Sequence, residues 1–262
     1  MRRFEIVAID GDLDYALARV AARHGQRLDE GAWRRLEASR QISHYVAAVR
    51  STALAWWVSS IDPENDCHTI ECALRVQWRR YVDGVAVWHP RAWQAWLAWL
   101  AWLPTLSLLV PLGRAEAVPK WLLADALYGP VALGTPADRA AALERTALAA
   151  LGPAVAGITT PGAAWGAEWQ LLQPQTELRT KNFLQRLTVI VAEHEQAMLR
   201  ATDSGEPLRQ ELSSRLQRLL RAAAGTVIVT VCHLALVALD LERLRGGLSR
   251  RCLFGDDQTE HA

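Results

Sequence analysis

Apolar residues recur at three- and four-residue steps along almost the whole chain, and two-residue alternation is nearly absent, so the pattern predicts helices and no sheet. Ile70, Leu74, Trp78, Tyr81 and Val85 fall on one stripe of a helix. Glu71, Arg75, Arg79 and Asp83 form the opposite stripe at spacing four, and each end acid is within reach of an arginine one turn away. Asp62 followed by Pro63 supplies a start for this helix, an oxygen to cap free N–H groups and a ring suited to the first turn. Further on, Leu184, Leu187, Val191, His194 and Met198 keep the same spacing, as do Leu234, Val237, Leu241, Leu244 and Leu248. These predict two long helices, joined through a shorter one over Leu208 to Leu220 that Ser204, Gly205 and Pro207 announce.

Between Pro90 and Pro104 tryptophan recurs every third residue, at Trp93, Trp96, Trp99 and Trp102. On a 3.6-residue helix that step drifts about 60° per repeat, so the indoles fan around half the helix and, with Leu97, Leu100 and Leu103, demand neighbours on most sides. A stacking surface for single-stranded bases is the functional alternative, but from Trp93 to Trp102 the run holds no basic residue to track a phosphate backbone. From Gly129 to Pro174 the composition shifts to Ala, Gly, Pro and Thr around one Ala-rich helix at Asp138 to Leu151. The chain-order partition is therefore an N-terminal helical lobe over 1–128, an Ala/Gly/Pro-rich connecting region with a short helix over 129–174, and a C-terminal helical lobe over 175–262.

Two segments, Ala92 to Leu112 and Ala222 to Leu239, approach the roughly 20 apolar residues that span a bilayer. The first carries Gln94, Pro104, Thr105 and Ser107 with tryptophans through its middle, the second Thr226, Thr230 and His233, and both read as buried core helices, with a helical membrane-associated scaffold as the alternative use of the two segments.

About half of the 262 residues are apolar, enough for a globular core. The 29 basic and 28 acidic residues nearly cancel, which leaves no net field to draw the chain onto nucleic acid or an anionic membrane, so steering falls to local patches. Nearly all the cations are arginine, the residue suited to bidentate ion pairs. Cys67, Cys72, Cys232 and Cys252 form no disulfide framework and lack zinc-knuckle spacing, and with no signal-like start the expected setting is a reducing cytosol.

The sharpest catalytic candidate is the acidic turn after the first apolar run. Asp10 and Asp12 would be the nucleophile and acid of a magnesium-dependent, haloacid-dehalogenase-like phosphatase. No series of strands follows to build its sheet, and a helix-capping turn uses the same residues. His194-Glu195 opens a zincin-like pattern whose second histidine position is Met198, so that site lacks a ligand. No phosphate loop, nucleophile elbow or dinucleotide fingerprint occurs, and binding rather than chemistry is the expected work, with no cofactor and no metal.

Three stretches resemble the C/d subunit of vacuolar-type and archaeal-type rotary ATPases. The first is Tyr15-Ala16-Leu17-Ala18-Arg19-Val20 with Gly25 and Leu28 after it; the second runs from Asn65-Asp66-Cys67-His68 to Leu74-Arg75. The third is Asp240 and Glu242 leading into Leu244-Arg245, closed by Arg250-Arg251 and Phe254-Gly255. The resemblance implies an all-α fold of multi-helix lobes packed side by side, a shortened version of the family's helical funnel. It implies a non-catalytic socket, peripheral on the cytoplasmic face of the membrane, that couples the rotor stalk to the proteolipid ring for proton or sodium transport. Its partners are then stalk subunits and ring, with no nucleic acid and with membrane contact only through those subunits. Arg75, Arg79, Arg243, Arg245, Arg250 and Arg251 are the expected partner-binding or lobe-pairing residues. Arg75 and Arg245, at the Leu-Arg steps, are expected to hold carboxylates in bidentate pairs.

Overall fold

The computed structural model of the chain describes residues 12–114, 117–201 and 205–254. The described residues are helical and contain no strand, so the protein is all-α. In chain order the helices are α1 (Leu13–His24), α2 (Glu30–Glu37), α3 (Ile42–Arg50), α4 (Cys67–Ala86), α5 (Arg91–Ala98), α6 (Leu106–Leu112) and α7 (Lys120–Leu123). They continue as α8 (Pro136–Leu143), α9 (Gly152–Val155), α10 (Pro161–Leu171), α11 (Leu178–Arg200), α12 (Glu206–Ala222) and α13 (Ile228–Phe254), with short 3-10 turns between some of them.

The chain divides into two compact units. The first comprises Met1–Leu74, Gly84–Gln94 and Gln175–Ala262, the second Arg75–Asp83 and Ala95–Pro174. The division interleaves along the chain, whereas the partition read from sequence runs in chain order. Helix α4 contributes its two ends to the first unit and its middle to the second.

In the first unit α13 is the central element, packed by α1, α3, α11 and α12. Its N-terminal half is buried on all sides, from Ile228 to Leu234, because it is apolar on every face apart from Thr230 and His233; only further on, at Leu244 and Leu248, does burial narrow to one stripe. Short polar side chains set the starts of the surrounding helices. Asp12 accepts the Asp14 N–H at 2.9 Å at the head of α1, and Asp29 accepts the Ala32 N–H at 2.7 Å at the head of α2. Helix α4 begins later than Asp62-Pro63 predicts: residues 62–65 close a turn in which the Asp62 N–H donates to Asn65 Oδ1, and Asp66 caps the helix by accepting the Thr69 N–H at 2.7 Å.

The second unit is organised around the tryptophan run. The α-helix expected from Pro90 to Pro104 holds only through α5; Trp99–Thr105 is a 3-10 helix. With three residues per turn, the three-residue step there stays on one face instead of drifting, and Trp99 and Trp102 are both buried. Helix α10 lies along the ladder through indole hydrogen bonds. Trp99 Nε1 donates to the Trp165 carbonyl at 3.0 Å, Trp165 Nε1 to that of Trp99 and Trp169 Nε1 to that of Trp96, both at 3.2 Å; the Trp96 and Trp169 rings stack 4.7 Å apart. The Ala-rich helix expected at Asp138 to Leu151 is shorter, since α8 ends at Leu143 and a turn, a 3-10 turn and α9 follow. Arg91–Leu112 is long and apolar enough to cross a membrane by length and composition, and just over half of its most apolar stretch is buried in the protein.

Candidate functional site

The three stretches that carry the family resemblance come together on α13, within the first unit. From the first stretch, α1 packs against α13, and Arg27, just past its end, reaches Asp240: Nε lies 2.6 Å from Oδ2 and Nη2 2.9 Å from Oδ1, with both side chains largely buried. From the second, Glu71 on α4 accepts from Arg245 Nη1 at 2.7 Å. The last turn of α13 sits against the start of α4, where the Cys67 thiol lies 3.9 Å from the Ser249 carbonyl and the Cys252 thiol 3.8 Å from that of Asn65.

Arg243 is the most heavily paired cation in this region. Its Nη1 and Nη2 hold both carboxylate oxygens of Glu30 at 2.8 and 2.9 Å, and its Nε and Nη2 hold those of Glu37 at 2.6 and 2.8 Å. The guanidinium also lies 4.9 Å from the centre of the Trp33 ring. These hydrogen bonds raise the Arg243 pKa above its ordinary value and hold the Glu30 carboxyl below its own. Asp240 shifts the other way: burial raises its pKa, and the pairing with Arg27 offsets only part of that.

Arg251 points inward beneath α2 and α3. It donates to the carbonyls of Ser39 at 2.8 Å, Glu37 at 2.9 Å and Gly247 at 2.7 Å, and stacks 3.9 Å from the centre of the Tyr45 ring. Gly247 lets α3 come this close, because a Cβ there would overlap the Tyr45 hydroxyl. Burial pushes the Tyr45 phenol up to about 12, so it stays neutral at ordinary pH.

A cleft of about 550 Å³ opens between α2, α12 and α13, lined among others by Arg27, Trp33, Arg209, Asp240 and Arg243. Its arginines already hold acids. Arg27 holds Asp240, Arg243 holds Glu30 and Glu37, Arg209 lies 3.1 Å from Glu242 and Arg245 holds Glu71, so each arginine of the cleft wall is already engaged by a carboxylate.

The other residues singled out in the sequence are dispersed. Arg75 lies 3.3 Å from Asp125, with both side chains mostly buried, and Arg79 sits 4.3 Å over the Trp102 ring; both contacts belong to the second unit. Arg250 is exposed. Arg19 donates to the Tyr15 hydroxyl at 2.9 Å and lies 4.2 Å over the Trp88 ring. His68 and Cys72 lie side by side at 3.5 Å, Leu74 and Leu244 are core residues, and Phe254 is exposed. Asp10 lies outside the described residues, and the Asp12 carboxylate is occupied in capping α1. His194 is half-buried on α11, with burial lowering its pKa. Among the described residues no group of three or more His, Cys, Asp or Glu is placed to hold a metal ion.

The pattern of sequence positions did not reveal Arg27, which sits in a loop outside any periodic run, or the buried pair of His89 and Thr230. His89 Nδ1 faces the Val85 carbonyl at 3.0 Å and therefore carries the ring proton, which leaves Nε2 to accept from the Thr230 hydroxyl at 2.8 Å. A signal for Arg27 did exist. Asp240 interrupts the apolar seam of the terminal helix, and a carboxylate in that position needs a cation from elsewhere in the fold.

Comparison with family models, with curated proteins and with solved structures gives no match for this chain.

Proposed function

We propose that this protein is a non-catalytic coupling subunit of a vacuolar-type or archaeal-type rotary ATPase, a rigid socket between the central stalk and the membrane ring. The observation that supports this reading best is the meeting of the three resemblance-bearing stretches on α13. Residues from the loop after α1, from the start of α4 and from the terminal helix, up to 213 positions apart, are tied by Arg27–Asp240, Glu71–Arg245 and the Cys67 and Cys252 contacts. Motif residues that brace one another in this way have a mechanical use. A rotor coupling must resist twist, and close-packed helices cross-linked by bidentate ion pairs deform little.

The phosphatase reading has less to stand on, because its site needs a parallel sheet and the described residues contain no strand. The rotor reading is tested by tagging the protein in its native cell and isolating it under conditions that preserve the ATPase. Stalk and ring subunits should copurify, and alkaline carbonate should strip the protein from membranes. Recovery of the protein alone from membranes that retain an intact ATPase would overturn the proposal.

A further inference from the structure

The chain is nearly neutral overall, yet its charges are unevenly distributed along the hairpin of α11 and α12. Residues 178–192 and 212–222 carry six cations, Arg179, Lys181, Arg186, Arg215, Arg218 and Arg221, and no carboxylate. Among the described residues, Arg215 alone of these six reaches an acid, Glu193, at the border of the segment. Lys181, Arg186, Arg218 and Arg221 are exposed.

A groove of about 440 Å³ runs between the two helices in this basic stretch. Its lining is apolar at Val189, Ile190 and Leu219, taken together as the floor, and cationic at Arg186 on one helix and Arg215 and Arg218 on the other, taken together as the rim. Val189 is about half exposed, a β-branched apolar side chain left facing water in the middle of a long helix. We propose that this groove docks an amphipathic helix of a partner protein, with an apolar stripe on the floor and acidic residues flanking it against the arginine rim. Apolar floor and planar cationic rim together match that chemistry, since helix-in-groove recognition buries an apolar stripe and guanidinium groups bind carboxylates with defined geometry.

Two other anionic partners fit less well. A bilayer holds a surface through the apolar area that inserts, and of the groove's apolar residues Val189 alone is exposed, with Leu219 only 2% exposed. Single-stranded nucleic acid needs free aromatic rings, and the groove has none; the neighbouring Phe183 is faced by Arg179 and Arg186 at 5.9 and 5.7 Å. The inference concerns this surface and does not rest on the rotary-ATPase reading.

The test uses the full chain and a fluorescein-labelled synthetic helix of about 18 residues, with leucine on one stripe and glutamate on both sides of it. Its counterpart carries lysine in place of glutamate. Binding is followed by anisotropy at about 50 and about 300 mM salt. The glutamate helix should bind and weaken with salt, and the lysine helix should not bind. R186E combined with R218E should weaken binding by about tenfold or more, and Val189→Asp should do the same, with melting temperatures unchanged because all three positions are exposed. Equal binding of the two helices, or binding that survives both variants, would overturn the proposal. So would tighter binding to vesicles of anionic phospholipid or to an oligothymidylate than to the glutamate helix.

Discussion

The guanidinium of Arg27 grips both oxygens of Asp240, joining the loop after α1 to the middle of α13 across 213 positions of sequence. Arg27→Ala would leave a carboxylate that is only 14% exposed without its cation, which costs roughly 3 to 5 kcal/mol. Arg245→Ala removes a pair whose arginine is half exposed and should cost at most about 1 kcal/mol. Urea denaturation of the two variants should separate them clearly. Similar midpoints would show that the buried pair contributes no more than a surface pair.

His89 and Thr230 form a second long-range link, wholly buried. Thr230→Val keeps the shape but withdraws the hydroxyl, leaving His89 Nε2 facing an apolar group, at a cost of about 1 to 3 kcal/mol. Thr230→Ser retains the donor and should recover most of the loss. If valine and serine behave alike, the hydrogen bond is not what stabilises this position.

Stability should fall on mild acidification because of buried histidines. Burial pushes the His233 imidazole down to about 3, and burial lowers His24 and His89 as well. The unfolded chain takes up a proton on each below about pH 6.5, whereas the native state resists it. Stability is therefore full above pH 6.5 and declines as pH drops toward 3, with His233 alone accounting for about 2 kcal/mol by pH 5. Urea midpoints at pH 8, 6.5 and 5 measure this, and His233→Gln should flatten the slope. An unchanged slope in that variant would remove His233 as a cause.

In the second unit, a Cβ at Gly129 would overlap the backbone carbonyl of Leu123, which cannot swing away as a side chain can. Gly129→Ala should cost about 1 to 3 kcal/mol through overpacking. Gly162→Ala, where a Cβ meets nothing within 4 Å, is the control and should leave the melting temperature nearly unchanged. Equal melting curves for the two variants would contradict the close approach of Gly129 to Leu123.

Much of the helix content was legible in the sequence because it depends on neighbours three and four residues away. The stripe Ile70, Leu74, Trp78, Tyr81 and Val85 is buried in full, as periodicity alone requires of an amphipathic helix in a folded protein. The long helices α11 and α13 and the shorter α12 between them follow the same rule. Helix starts were less legible, since Asp62 and Asp66 are both good caps and the backbone uses the second.

The sequence by itself thus determined that this protein is all helical and where its long helices run, because apolar period and local hydrogen bonding are properties of short stretches of chain. Only the tertiary structure decided which charges meet. Glu71 has Arg75 one turn away, within reach by spacing, yet takes Arg245, 174 residues distant, because packing places α13 beside α4 and an ion pair forms wherever a long side chain finds a partner. The tryptophan ladder likewise needed the fold to show that its three-residue step is met by a 3-10 turn, since the same letters fit either helix and the packing of α10 against them favours the one that keeps Trp99 and Trp102 inside.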